Sequence, residues 1–129
     1  MTSSAHPFRA NGRTYSPPAH LVAVVCIDGC AEEYLNEGLA HGRMPHLARI
    51  VRHGARATVR ASLPTFTNVN NAAIVTGQPP SVTGISGNFF LDPETGEEVM
   101  MNSSRFLRCE TILAAAARAT ASRAACPSP

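Results

Sequence analysis

Apolar positions fall along this chain in distinct rhythms, and each rhythm predicts a different element. The unbroken run "LVAVVCI" at 21–27 is β-branched in its middle and stopped by Asp28-Gly29. Such a run suits a strand covered on both faces, as in a parallel sheet flanked by helices. At 55–62, "ARATVRAS" alternates instead. Ala55, Ala57 and Val59 point one way and Arg56, Thr58 and Arg60 the other, which predicts an edge or half-exposed strand. Between the two, "AEEYLNEGLAHGRMPHLARIVRHG" carries helical spacing in two pieces. Glu32 and Glu33 suit a first turn, and Gly38 or Gly42 ends that helix. Pro45 opens the next helix, and Leu47, Ile50 and Val51 form its apolar face before Gly54.

The remaining segments are marked by punctuation. "LPTFTNVNNAAIVTGQPP" reads as a loop entering a short helix. Asn68, Asn70 and Asn71 suit its first turn, where short polar side chains accept hydrogen bonds from free N–H groups. Gly77 suits its left-handed end, and Pro79-Pro80 forbid continuation. "SGNFFLDPETGEEVMM" predicts a hairpin turning at Pro-Glu-Thr-Gly, and "CETILAAAARAT" a final Ala-rich helix. The first 19 residues, rich in Ser, Pro and Arg, read as a flexible arm or a loosely docked extension. Residues 119–129 read as an irregular tail. The order of elements over 20–118 predicts one α/β domain, a layered core with a mainly parallel sheet.

Composition narrows the classes. The 129 residues suffice for one domain, with 44% apolar positions, 5% aromatic ones and no Trp, so the core is built on Ala, Val and Leu. A net charge of +2 demands neither a nucleic acid nor a membrane surface as partner. All 11 basic residues other than His are Arg. Arg49, Arg52, Arg56 and Arg60 lack interleaved aromatics and read as a solvated face rather than a nucleic-acid stripe. No signal-peptide core or spanning run is visible. Cys26, Cys30, Cys109 and Cys126 show no metal-binding spacing, and free thiols in a cytoplasmic protein are expected.

Three residues at element boundaries carry the candidate chemistry. Thr67 stands at or just before a helix N-terminus, where free N–H groups and the dipole favour an anion. It is either a cap or a nucleophile whose alkoxide is favoured there. Asp28 follows the first predicted strand, where open parallel sheets place their ligands. It starts a turn with Gly29, caps the next helix, or holds a cation. Asn88, closing "GISGN", could donate its amide to a phosphoryl oxygen. A divalent metal shared by Asp28 and Thr67 would activate the hydroxyl near neutral pH.

"VCIDGCAEEYL", "PTFTNVNNAAIVTGQPPSVTGISGNFFLDPETGEEVMM" and "RFLRCETILAA" closely resemble the phosphonoacetate hydrolases, metal-dependent members of the alkaline phosphatase superfamily. The likeness runs from about residue 21 to 118, and "GNFFLDPETGEEVMM" is its most specific part. Nucleotide pyrophosphatase/phosphodiesterases share a looser pattern, from which this chain departs at Thr83, where a His often precedes the Gly. The resemblance implies a two-zinc hydrolase cleaving phosphonoacetate to acetate and phosphate, with a possible homodimer in the complete enzyme. It implies Asp28 and Thr67 as ligands of one zinc, Thr67 as the attacking alkoxide and Asn88 as a phosphonate-binding residue.

The same resemblance places the other metal ligands and the substrate-holding lysines farther downstream than this chain runs, and the chain has no Lys. His6 and His20 lie in the arm, and His41, His46 and His53 in the basic helical stretch, without ligand spacing. The expectation is therefore the N-terminal portion of a truncated alkaline-phosphatase-like core, catalytically inactive by itself. The alternatives are a related phosphodiesterase-type hydrolase, or a non-catalytic fragment binding an anion or a partner.

Overall fold

A computed structural model describes residues 6–124, the last four of them by backbone alone. The chain forms two compact units, Ala23–Arg60 and a second made of Met1–Val22 with Ala61–Pro129.

In the unit Ala23–Arg60, helix α1 (Glu32–Ala40) carries Glu32 and Glu33 in its first turn, as the electrostatics favour. Gly42, at φ +65, turns the chain after it, and Pro45 opens α2 (Pro45–His53). Gly38 is buried because Met44 packs on it: a Cβ there would meet the Met44 sulfur at 2.7 Å. On α2, Leu47, Ala48 and Val51 are half-buried, but Ile50, expected on the apolar face, is exposed.

The alternation at 55–60 is real, whereas the expected strand is not. Nη2 of Arg56 donates to Glu32 Oε1 at 3.0 Å and to Asn36 Oδ1 at 2.8 Å, and Thr58 Oγ1 donates to the Glu32 carboxylate at 3.2 Å. One side of the segment thus grips α1 through side chains, while no backbone ladder forms. Residues 21–27 likewise form no ladder, and Leu21, Val22, Val24, Val25 and Ile27 are 66% to 104% exposed. A strand needs a second strand to pair its N–H and C=O groups, and no such ladder forms on either segment among the described residues. The expected parallel sheet is accordingly absent there; the two sheets that do form are antiparallel ribbons.

The second unit begins with a surprise. Within the predicted arm, β1 (Phe8–Ala10) and β2 (Arg13–Tyr15) form a hairpin, with Phe8 opposite Tyr15 and their rings stacked 5.6 Å apart. The turn is Asn11-Gly12, both at positive φ, the backbone of a two-residue hairpin loop matched to strand twist. Asn11 then acts as a clamp. Its Nδ2 donates to the carbonyls of Thr76 and Glu110, its Oδ1 accepts from the Glu110 N–H, and its own carbonyl accepts from Gln78.

Helix α3 (Thr67–Thr76) buries Val69, Ala72 and Thr76, which share one face at helical spacing. Val69 and Ala72 form the core with Ile85 and Met101, and Phe90, Phe106 and Leu107 pack against it. Gly77 ends α3 in the left-handed conformation as expected, and short helix α4 (Pro80–Thr83) follows. The predicted hairpin is present as β3 (Phe89–Leu91) and β4 (Glu98–Met100), paired Phe89 to Met100. A 3-10 turn at Ser104–Phe106 sets Phe106 edge-on to Phe90. Helix α5 (Ile112–Ala124) starts on Thr111, whose Oγ1 accepts the Ala114 N–H at 3.0 Å. It continues through 119–124, where an irregular tail was expected; residues 125–129 lie outside the described part. No helix among the described residues is long and apolar enough to cross a membrane.

Candidate active site

Thr67 is the first residue of α3 and is half-buried. The residue before the helix is Phe66, whose side chain makes no capping bond, and the first-turn N–H of Asn68 is taken by a residue from outside the helix. The Asn68 and Asn70 side chains bond to backbone groups beyond the helix. Asn70 accepts the Ser62 N–H at 2.8 Å and donates to the Phe66 carbonyl at 3.1 Å, so it ties the incoming loop to the helix start.

Asn68 makes the more informative contacts. Its backbone N–H donates to Oδ1 of Asn88 at 3.0 Å, although 20 positions separate the two. Its side-chain Nδ2 donates to the Met101 carbonyl at 3.1 Å, and the Met101 N–H donates to the Asn88 carbonyl at 2.7 Å. The first turn of α3 and the mouth of the β3–β4 hairpin are thereby joined in one ring of three bonds. Sequence reading singled out Thr67 and Asn88 as candidates but not Asn68 and Met101, which join their two segments. The only local hint was the cluster of asparagines, which were assigned to the helix start itself.

Two of the three predicted site residues, Thr67 and Asn88, therefore sit in one unit beside a common partner. Asp28 belongs to the unit Ala23–Arg60, where it is exposed in the turn with Gly29 that precedes α1. His41, His46 and His53 are exposed, and His41 Nδ1 lies 2.9 Å from the Glu37 carbonyl. Among the described residues no group of three His, Cys, Asp or Glu could hold a metal ion. Thr83 is fully buried, its Oγ1 accepting the Ile85 N–H and its carbonyl the Arg108 N–H. It shapes the turn after α4. A concavity of about 1060 Å³ is lined by Phe8, Tyr15, Leu21, Ile112 and other largely apolar groups, and includes neither Thr67 nor Asn88.

Residues 22–127 match the family described as type I phosphodiesterase / nucleotide pyrophosphatase. The structure is similar to phosphonoacetate hydrolase from Sinorhizobium meliloti 1021 in complex with phosphonoformate, at 46% identity, and in complex with phosphonoacetate, at 45%. In both cases the TM-score is 0.82, and the match covers 90% of this chain and 28% of that one. This chain thus spans 28% of the length of those solved structures, and within that span its helices and strands follow the alkaline-phosphatase-like enzyme fold. The resemblance carried by the sequence motifs is borne out in identity and in fold.

Proposed function

The chain belongs to the type I phosphodiesterase / nucleotide pyrophosphatase family, and on that premise we propose that it carries the nucleophile-bearing part of a phosphonoacetate hydrolase. The reaction is hydrolysis of the carbon–phosphorus bond of phosphonoacetate to acetate and phosphate. The observation that supports it is the bond from the residue after Thr67 to the side chain of Asn88. That bond brings the Asn88 side chain to the first turn of α3, the turn that Thr67 opens, and a helix N-terminus and an amide donor both suit an anionic phosphorus group.

In this reading Thr67 Oγ1 attacks phosphorus. A P–O bond forms, the C–P bond breaks, and its electron pair passes into the acetate carboxylate in an enolate-like state that takes up a proton. Asn88 Nδ2 donates to a phosphonyl oxygen, and the N-terminal end of α3 favours the negative charge that gathers there. Water then hydrolyses the phosphothreonine, releasing phosphate and restoring Thr67. Cys30 and Cys109 form no disulfide among the described residues, which suits a reducing cytoplasm.

Zinc is the cofactor that the reading implies. A catalytic zinc takes three protein ligands as a rule, whereas Asp28 and Thr67 amount to one carboxylate and one hydroxyl. With no third ligand clustered among the described residues, this chain's groups do not fit a complete zinc site. The isolated chain should therefore release negligible phosphate from phosphonoacetate even with excess zinc.

The decisive experiment places residues 21–118 in the corresponding part of the Sinorhizobium meliloti hydrolase. Phosphate release from phosphonoacetate, abolished by Thr67→Ala, is the expected result. Faster hydrolysis of a nitrophenyl phosphodiester than of phosphonoacetate would favour a phosphodiesterase, the reading the family description also allows. Full activity of the Thr67→Ala hybrid would remove Thr67 as nucleophile.

A further inference from the structure

Building on the phosphonate reading, we infer that Asn68 is the positioning residue for Asn88. A backbone N–H can only donate, so the Asn88 atom 3.0 Å from the Asn68 nitrogen is the amide oxygen, and Nδ2 is the end turned to other acceptors. Asn68 is the second residue of α3, where an N–H has no acceptor within the helix. Its use on Asn88 therefore takes nothing from the helix ladder.

The side chain of Asn68 reinforces the same placement. Asn88 immediately precedes β3 and Met101 immediately follows β4, so the two residues flank the hairpin. By donating from its backbone to Asn88 and from its side chain to Met101, Asn68 holds both ends of that mouth at once. Met101 is itself buried in the cluster with Val69, Ala72 and Ile85, so the far side of the ring is anchored in the core. Turning the Asn88 amide would break its bond to the Asn68 N–H and present a donor to a donor. The ring thus holds the Asn88 amide in one orientation at the first turn of α3 before any phosphonate arrives, which lowers the ordering cost of binding. Asn68 does this without itself having to touch the substrate.

The test uses the full 129-residue chain, labelled with nitrogen-15, and phosphonoacetate as the probe. Asn68→Ala removes the bond to Met101 and leaves the backbone N–H in place. Asn68→Asp removes the same donor but keeps a residue that helix first turns favour, which guards against simple loss of α3. Expected in both variants are a shift of the Asn88 side-chain amide signals, faster exchange of their protons, and a phosphonoacetate affinity lower by about tenfold. Unchanged Asn88 signals and unchanged affinity in both variants would overturn the inference. If the Asn88 signals respond to the variants but ignore phosphonoacetate in the parent chain, the positioning role stands and the phosphonate reading falls.

Discussion

Oδ1 of Asn88 accepts the backbone N–H of Asn68 at 3.0 Å, and this bond sets the amide of one segment beside the threonine that opens another. The bond uses only the oxygen of the amide, so the two ends of Asn88 can be tested separately. Asn88→Asp keeps an acceptor for the Asn68 N–H and replaces the donor with a carboxylate. Phosphonoacetate binding should weaken by at least about tenfold. The melting temperature should change little, because the bond to α3 survives. Calorimetric titration with parallel melting curves checks both, and retained affinity would show that Nδ2 has no role in phosphonate binding.

Gly77 and Gly96 separate backbone strain from crowding. Both have positive φ, +66° and +70°, but a Cβ at Gly77 would lie 2.9 Å from the Tyr15 hydroxyl, while Gly96 faces open space. Gly96→Ala should cost about 1–2 kcal/mol from the left-handed conformation alone. Gly77→Ala should cost distinctly more, since Tyr15 and the N-terminal hairpin must shift as well. Urea unfolding of the two variants measures the difference, and equal losses would mean that Tyr15 yields freely.

Asn11 offers a test of the N-terminal hairpin. Asn11→Gly keeps a residue at ease with φ of +50° but deletes the side-chain bonds to Thr76 and Glu110. A loss of about 2 kcal/mol is expected from these partly buried bonds, with proteolysis appearing first near the hairpin. A neutral outcome in urea unfolding would show that packing of Phe8 and Tyr15 suffices to dock it.

Removal of Val69 reports on the core. Val69 is 0% exposed, at the centre of the cluster with Ala72, Ile85 and Met101. Val69→Ala should destabilise by about 2 kcal/mol, with an unchanged dependence on denaturant concentration. A loss below about 0.5 kcal/mol would indicate that the site collapses to fill the space.

The apolar run at 21–27 should drive association in solution. Val24 and Val25 are 77% and 79% exposed on a segment without a backbone ladder, the kind of surface that recruits other chains. Sedimentation should reveal concentration-dependent association that Val24→Lys reduces. Identical monomeric profiles for both proteins would exclude this run as the contact.

Much of the local structure was determined by the sequence itself. Pro45 and Gly54 bound α2, Gly77 ends α3, and Pro93 to Gly96 turn the β3–β4 hairpin, because such residues restrict or free the backbone within a few positions. Asn11-Gly12 carried an equally local signal, yet the lack of periodicity around it made the first 19 residues read as a flexible arm, and the hairpin was missed. Period alone could not decide the rest. The alternation at 55–60 became side-chain bonds from Arg56 and Thr58 to α1 instead of a ladder, and the run at 21–27 joins no ladder among the described residues. A ladder depends on a second strand, which no rhythm within one segment supplies. The same holds at the candidate site: the residue types of Thr67 and Asn88 stood out in one dimension, but only folding chose Asn68 to join them, since a hydrogen bond across 20 positions is fixed by how α3 and the hairpin meet.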